Sequence, residues 1–325
     1  MSTLIISVAL CTYNSSRYLQ AELESMASQT RFPDEVVVCD DGSQDNTLEL
    51  LEQFRKNASF PVRIFRNAQH LGSTKNFEQA IAFCQGEFIA LADHDDLWYP
   101  NKLQLLSEVL AADPNAGYVF ADADVIDDEG KPVGATLWQK QDVRYLPRTG
   151  FLPQNQVTAL LKVGFPAGCT MMFRSDLKEI VLPISSRWIH DFWISLLASM
   201  TGRYGIAVSE PLMAFRLHAS QAVGVRPRIW KLLPFLLTAP RNLWAEEKQK
   251  FMEIRERLYG DPNLNRCKAE ELELLDEKIL HLGQRASARS AKGWQRCKIV
   301  LSEARTGRYG QFSFSWQSAL RDLCL

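Results

Sequence analysis

No apolar run in this chain of 325 residues approaches the length that a bilayer-spanning helix needs. The N-terminus carries neither a basic leader nor a long apolar stretch, and Leu4 to Leu10 has the length of a buried strand rather than of an export signal. Cysteine is sparse and unpatterned. The seven residues, at 11, 39, 84, 169, 267, 297 and 324, form no C-x-x-C, which argues against a disulfide framework and against zinc and suits a reducing cytoplasm. No G-x-G-x-x-G follows the first strand, where a dinucleotide-binding sheet needs it; Cys11-Thr12-Tyr13-Asn14 stands there instead. Repeats and low-complexity tracts are absent, net charge is only −1, and no nucleic-acid partner is expected.

What is present suffices for a sizeable core: 46% of residues are hydrophobic and 23% charged. The near-zero charge hides a division. Residues 226–325 hold 19 Lys+Arg against 12 Asp+Glu, while residues 1–225 hold 18 against 26. The reading is a large acidic domain over 1–225 and a basic helical region over 226–325, suited to an anionic membrane, an acceptor, a second subunit or its acidic neighbour.

The first domain alternates strands and helices. Leu4–Leu10, Glu35–Cys39, Val62–Phe65 and Glu87–Ala92 are expected strands. Ser15–Gln29, a segment capped by Asp45, and Thr74–Cys84 are expected helices between them, with Gly86 ending the last. Short alternating units imply right-handed crossovers and an α/β fold, a Rossmann-like, mostly parallel sheet with helices on both faces. Further on, Trp98–Leu110 is expected as a helix, Gly117–Ala121 as a strand, Asp127–Gly130 as a hairpin turn, residues 131–164 as a long loop, Gly168–Phe173 as a strand and Ile189–Met200 as a helix. In such a sheet the polar segments after the strands gather on one edge. That brings together Cys11–Asn14, Asp40–Ser43 and Asp93–Asp96, the last at the end of the apolar run Phe88-Ile-Ala-Leu-Ala. Three carboxylates so close either form a solvated acidic turn or hold a divalent cation with a phosphate-bearing ligand.

Thr12-Tyr13-Asn14, Ser28-Gln29-Thr30, Val36-Val-Val-Cys-Asp40-Asp41-Gly-Ser-x-Asp45, Asn76-Phe-x-x-Ala80 and Asp93-His-Asp95-Asp96-Leu-Trp98 follow one another in an order that resembles family 2 glycosyltransferases, inverting enzymes of the GT-A fold. The similarity covers roughly residues 3–225. Lys75-Asn76-Phe77, the Asp-x-Asp-Asp-Leu-Trp form of the acidic motif, and Phe215-Arg216-Leu-His218 followed by Val223-Gly224 look like bacterial rhamnosyltransferases of polysaccharide assembly, such as O-antigen synthesis.

The resemblance implies roles. Thr12, Tyr13 and Asn14 would border the nucleotide, with Tyr13 against the base and Asp41, or less readily Asp40, accepting from its ring N–H. Asp93 would orient the site or meet the ribose. Mg2+ or Mn2+ would be held by Asp95 or Asp96, with His218 completing the shell, and Arg216 would pair with the diphosphate. Lys75 is either a phosphate contact or a solvated helix residue. Asp191, between Trp188 and Phe192-Trp193, would be the catalytic base, in surroundings that raise a carboxylate's pKa; His190 stands where the family usually has Glu. Implied partners are a dTDP- or UDP-sugar and a glycan or lipid-linked acceptor, in the cytoplasm or peripherally at the inner face of the membrane. Rhamnose is the first expectation for the donor, with glucose, galactose or an N-acetylhexosamine as rivals; a non-catalytic nucleotide-sugar-binding scaffold is the alternative of a different class. Trp230–Leu237, with its Trp, Phe and Leu beside basic residues, suits an interfacial helix or a packing helix.

Overall fold

The computed structural model describes residues 4–141, 143, 151–219, 221, 240, 242–260 and 267–324. Val223-Gly224 and Trp230–Leu237 lie outside the described residues. Contacts divide the chain into two compact units, one of residues 1–153, 165–198 and 203–226, the other of 154–164, 199–202 and 227–325.

The first unit is an α/β sheet built as the alternation requires. Strands β1 (Ile6–Thr12), β2 (Glu35–Asp40), β3 (Val62–Arg66) and β4 (Phe88–Ala92) are joined by α1 (Leu19–Ala27), α2 (Thr47–Asn57) and α3 (Ser73–Phe83). β1, β2 and β4 are buried along their whole length, which is why their sequences run apolar without alternation. They pair in parallel, with Thr12 opposite Asp40 and Leu10 opposite Ala92, so their C-terminal ends lie at one edge.

Beyond β4 the chain adds β5 (Leu97–Trp98), α4 (Lys102–Ala112), β6 (Tyr118–Ile126), β7 (Pro132–Thr136), α5 (Leu137–Lys140), β8 (Met171–Arg174), α7 (Lys178–Val181), α8 (His190–Met200) and β9 (Gly205–Arg216). Among the described residues the sheet order is β3-β2-β1-β4-β8-β6-β9-β5, with β7 beside β6. β8 runs antiparallel between β4 and β6, and β9 runs parallel to β6. β9 is held twice, through Ile126 opposite Arg216 and through Leu97 opposite Ala214, with register shifts near Asp122.

Several expectations are corrected here. Trp98 lies in a strand, because its backbone finds Met213 of β9, and the helix starts at Lys102. Residues 131–164 contain β7, α5 and, in the second unit, α6 (Gln156–Lys162); Thr136 forms a capping box with Gln139 that starts α5. The strand expected over Gly117–Ala121 runs on to Ile126 as β6 and takes in Asp122 and Asp124. Gly168–Thr170 is a 3-10 turn before β8. Asp45 is not the N-cap of α2, which is Asn46, although its carboxylate still accepts from Thr47 N at 3.1 Å and Ser16 N at 3.0 Å.

The second unit contains α6 and the helices α9 (Leu243–Gly260), α10 (Ala269–Ser290), α11 (Gly293–Arg305), α12 (Arg308–Phe312) and α13 (Trp316–Cys324). Its interior is unusually polar. His281 bonds Glu303 Oε1 at 2.7 Å and Ser313 Oγ at 2.9 Å, Arg308 closes on Glu303 at 2.7 Å, and Arg285 grips Asp322 at 2.6 and 3.0 Å while lying 3.6 Å over the Trp244 ring. Burial pulls Lys278 down to about 7; its Nζ donates to Phe312 O at 3.1 Å.

Candidate active site

The shared edge of β1, β2 and β4 carries Thr12–Asn14, Asp40–Asp41 and Asp93–Asp96, whereas Lys75 comes from α3, Asp191 from α8, Arg216 from β9 and His218 from just after it. At the end of β2, Asp40 is absorbed by its own turn: its oxygens accept from Thr12 Oγ1 at 3.0 Å, Ser43 N at 2.9 Å, Gly42 N at 3.2 Å and Ser43 Oγ. Gly42, at φ +86, supplies the left-handed residue that lets the chain fold back. Asn14, at φ +47, donates its N–H to Ser43 Oγ at 2.8 Å and accepts on Oδ1 from Gln44 N at 2.9 Å, tying the first loop to the second.

Asp41 has a different task. Its two oxygens accept from Asn67 Nδ2, Leu71 N and Gly72 N, each at 2.8 Å, and His70 Nδ1 lies 2.9 Å away. The carboxylate therefore organises the loop that leads into α3, and Asn76 reinforces it by accepting from Asn67 and donating to Cys39 O at 2.8 Å. Exposed Tyr13 tilts over His70, ring centroids 4.4 Å apart, and with Asp41, Gly42, Gln44, Arg66 and Asn67 they border a cleft of about 510 Å³, a size in the range of small-molecule sites.

After β4 the acidic motif splits. Asp95 Oδ2 meets His218 Nε2 at 2.7 Å. Asp96 turns inward: Oδ1 accepts from Arg216 N at 3.0 Å, and Oδ2 is buried with no hydrogen-bond partner among the described residues. Asp96 and Asp93 oxygens and the Cys169 sulfur lie within 4.8 Å of one another. Burial, then the charges of Asp95 and Asp96, hold Asp93 well above the usual carboxylate range; burial and Asp95 push Asp96 up to about 7. Of the three residues assigned to the cation, Asp95 and His218 are thus brought together, whereas Asp96 groups with Asp93. Burial also keeps the Cys169 thiol protonated, so it is not a ligand for a hard cation. The oxygen and imidazole donors and the orphaned Asp96 Oδ2 fit Mg2+ or Mn2+.

Arg216 and Lys75 are engaged within the protein. Arg216 Nε donates to Asp95 O at 2.9 Å and its terminal nitrogen to Asp128 O at 3.2 Å, with the guanidinium 4.8 Å over the Tyr18 ring. It braces the acidic loop from behind. Lys75 Nζ donates to Glu78 Oε2 at 2.6 Å and Ile184 O at 2.8 Å, fastening α3 to the segment before α8.

Asp191 occupies the first turn of α8. Its Oδ2 accepts from Gly168 N at 2.9 Å and its Oδ1 from Phe192 N at 2.6 Å, and its charge reaches Asp93. Gly168 is required by this approach, since a Cβ there would stand 2.7 Å from His190 Nε2 and 3.3 Å from Asp191 Cβ. His190 is stacked 3.8 Å from Phe77 and brought down to about 3 by burial, so it is a neutral wall and not a substitute acid.

Residues behind the site escaped the sequence reading. Lys102 is fully buried, donates to Cys169 O at 2.6 Å, lies 3.7 Å over Trp98 and is lowered to about 8 by burial despite Cys169, Glu22, Asp96 and Asp93 nearby. Glu22, also fully buried, is held well above the usual range by burial and then by Asp96. A lysine and a glutamate in helices look solvent-facing in sequence. Their one signal is position, since each lies on the buried stripe of its helix.

Residues 7–181 match the family model for glycosyl transferase family 2, and the chain belongs to that family. It is 32% identical over 184 residues to an uncharacterised glycosyltransferase of Nostoc sp., covering 55% of this chain and 53% of the relative. It is 27% identical over 128 residues to the UDP-Glc:alpha-D-GlcNAc-diphosphoundecaprenol beta-1,3-glucosyltransferase of Escherichia coli, covering 39% and 49%. The chain thus spans about half the length of these curated relatives. A mannosyltransferase of Pyrobaculum calidifontis, solved with GDP-Man and Mn2+, shares the fold at a TM-score of 0.54 and 18% identity, covering 100% of this chain and 86% of that one. The fold is accordingly GT-A, followed by a helical C-terminal region.

The elevated Asp96 predicts a pH effect. A buried carboxyl raised above its unfolded value contributes stability that is present below about pH 4 and lost as pH rises through its folded value. In metal-free protein the melting temperature of wild type minus that of Asp96→Asn is expected to fall between pH 5 and 8, and Mn2+ is expected to restore it at pH 8. A difference that is flat with pH would contradict the assignment.

Proposed function

We propose that the protein is an inverting, metal-dependent glycosyltransferase that moves a sugar from a nucleoside diphosphate to a glycan or lipid-linked acceptor in cell-surface polysaccharide synthesis. The observation that carries this reading is the edge that bears the Tyr13–His70–Asp41 cleft and the Asp95–His218 pair, with Asp191 near enough for its charge to act on Asp93. Tyr13 offers a face for the base. Asp95 or Asp96, with His218 completing the shell, would hold the cation, which would supply positive charge against the departing diphosphate. Asp191 takes the proton of the acceptor hydroxyl as its oxygen bonds to the anomeric carbon, and the bond from that carbon to the diphosphate breaks on the opposite face. Arg216 keeps the acidic loop in position, Lys75 fastens α3 to the segment before α8, and Asp93 is within reach of the charges of Asp95, Asp96 and Asp191.

The donor is read as dTDP-rhamnose, on Lys75-Asn76-Phe77 and Arg216-Leu-His218. A uridine donor is the second reading, favoured by the Escherichia coli relative whose name specifies UDP-Glc. The test is thermal stabilisation by thymidine, uridine and guanosine diphosphates and their sugars, each with Mn2+ and with chelator. Metal-dependent stabilisation selective for thymidine compounds is the expected result. Selectivity for uridine would move the sugar and keep the enzyme, and no response from folded protein at saturating ligand would leave a scaffold role.

A further inference from the structure

The second unit turns an apolar and basic surface outward on two helices that share one small core. In α11, Val300 and Glu303 are buried, and Ile299 packs on the cluster of Ala288, Val300 and Tyr309. Trp294, Lys298, Leu301 and Arg305, spaced four, three and four residues apart, form the opposite, exposed stripe; Trp294 is 78% exposed and Leu301 48%. In α13, Ser318 and Asp322 are buried and Ala319 and Leu323 pack on the same cluster. Trp316 and Leu320, on the flank of the stripe that Ala319 and Leu323 belong to, remain 67% and 52% exposed. Two exposed tryptophans and two leucines on neighbouring helices are more than scattered surface apolarity.

The charges choose the occupant. Residues 289–308 contain six basic residues and a single acid, Glu303, which is buried against His281 and Arg308. The acid of α13, Asp322, is likewise buried against Arg285. Both helices therefore turn their acids inward, and α11 with its cap leaves Lys292, Lys298 and Arg305 at the surface. A second copy placed on this face by a two-fold axis would set these cations against themselves. An anionic bilayer offers negative headgroups to the cations and an interfacial zone in which tryptophan is favoured. No helix among the described residues is long and apolar enough to cross a membrane, so the contact lies on the surface.

We infer that α11 and α13 dock the protein on anionic phospholipid, with Trp294 and Trp316 inserted at the headgroup level and Lys298 and Arg305 paired with lipid phosphates. The inference does not depend on the transfer reaction or its donor. The test is flotation of the full chain with vesicles of phosphatidylcholine, alone and with about one-third phosphatidylglycerol, beside tryptophan fluorescence. Binding is expected only with phosphatidylglycerol, with a blue shift, and weakened by salt. Lys298→Glu/Arg305→Glu should lose about tenfold or more in affinity, and Trp294→Ser/Trp316→Ser should remove the blue shift while both variants melt as wild type does. Equal binding to both vesicles, no binding by folded wild type, or binding unchanged in the tryptophan variant would overturn the inference. So would lipid-independent self-association that the same tryptophan variant abolishes, which would assign the face to a second copy.

Discussion

Asp191→Asn is expected to lower sugar transfer by roughly 10²- to 10⁴-fold, the usual worth of a positioned general base, while leaving metal-dependent stabilisation by the donor intact. The side chain keeps its shape and its single oxygen can still accept from Gly168 N, at the cost of the bond from Phe192 N at the start of α8. What is lost is the carboxylate proposed to receive the acceptor's proton. The check is initial rates of nucleoside diphosphate release with acceptor present, beside melting temperatures with and without donor. Near wild-type turnover would remove Asp191 from the mechanism, and lost donor binding would make it a binding residue.

Arg285→Met is expected to destabilise the second unit by about 3–5 kcal/mol, the scale for removing one member of a buried ion pair. Arg285 and Asp322 are each 4% exposed at the side chain, and the substitution leaves the carboxylate with Tyr309 OH at 2.9 Å and a long contact from Arg321 at 3.4 Å. The Ser313 hydroxyl would also lose the Arg285 donor at 3.0 Å. Because desolvating the pair is itself costly, replacing both members by apolar residues, Arg285→Met with Asp322→Leu, should recover most of the loss. Denaturant unfolding of the three proteins decides it. A single-variant loss below about 1 kcal/mol, as for an exposed pair, would show that the network is dispensable.

The parts of the fold legible in sequence were those whose pattern is local. β1, β2 and β4 are buried on both faces and stand out as apolar runs, and the motifs after them reached one edge by topology alone. β5 was not legible, since two residues carry no periodicity and Leu97-Trp98 is a strand only because β9 arrives beside it. The same holds for side chains. Asp41, Arg216 and Lys75 were singled out in sequence, but what they bond to is set by the loop before α3, the turn at Asp127–Asp128 and the approach to α8. Lys102 and Glu22 were missed because charged residues on helices face water by default, and only the finished packing shows them beneath the acidic motif.

Strand β9 is bonded to β6 on one side and to β5 on the other, and so has no latitude to slide. Side chains alternate along a strand, so adding or removing one residue between Met213 and Arg216 would point Arg216 where Phe215 now lies and carry His218 away from Asp95. Insertions and deletions are excluded there in a way that substitutions are not. The stretch acts as a ruler, and its length, more than its composition, delivers the imidazole to the acidic loop.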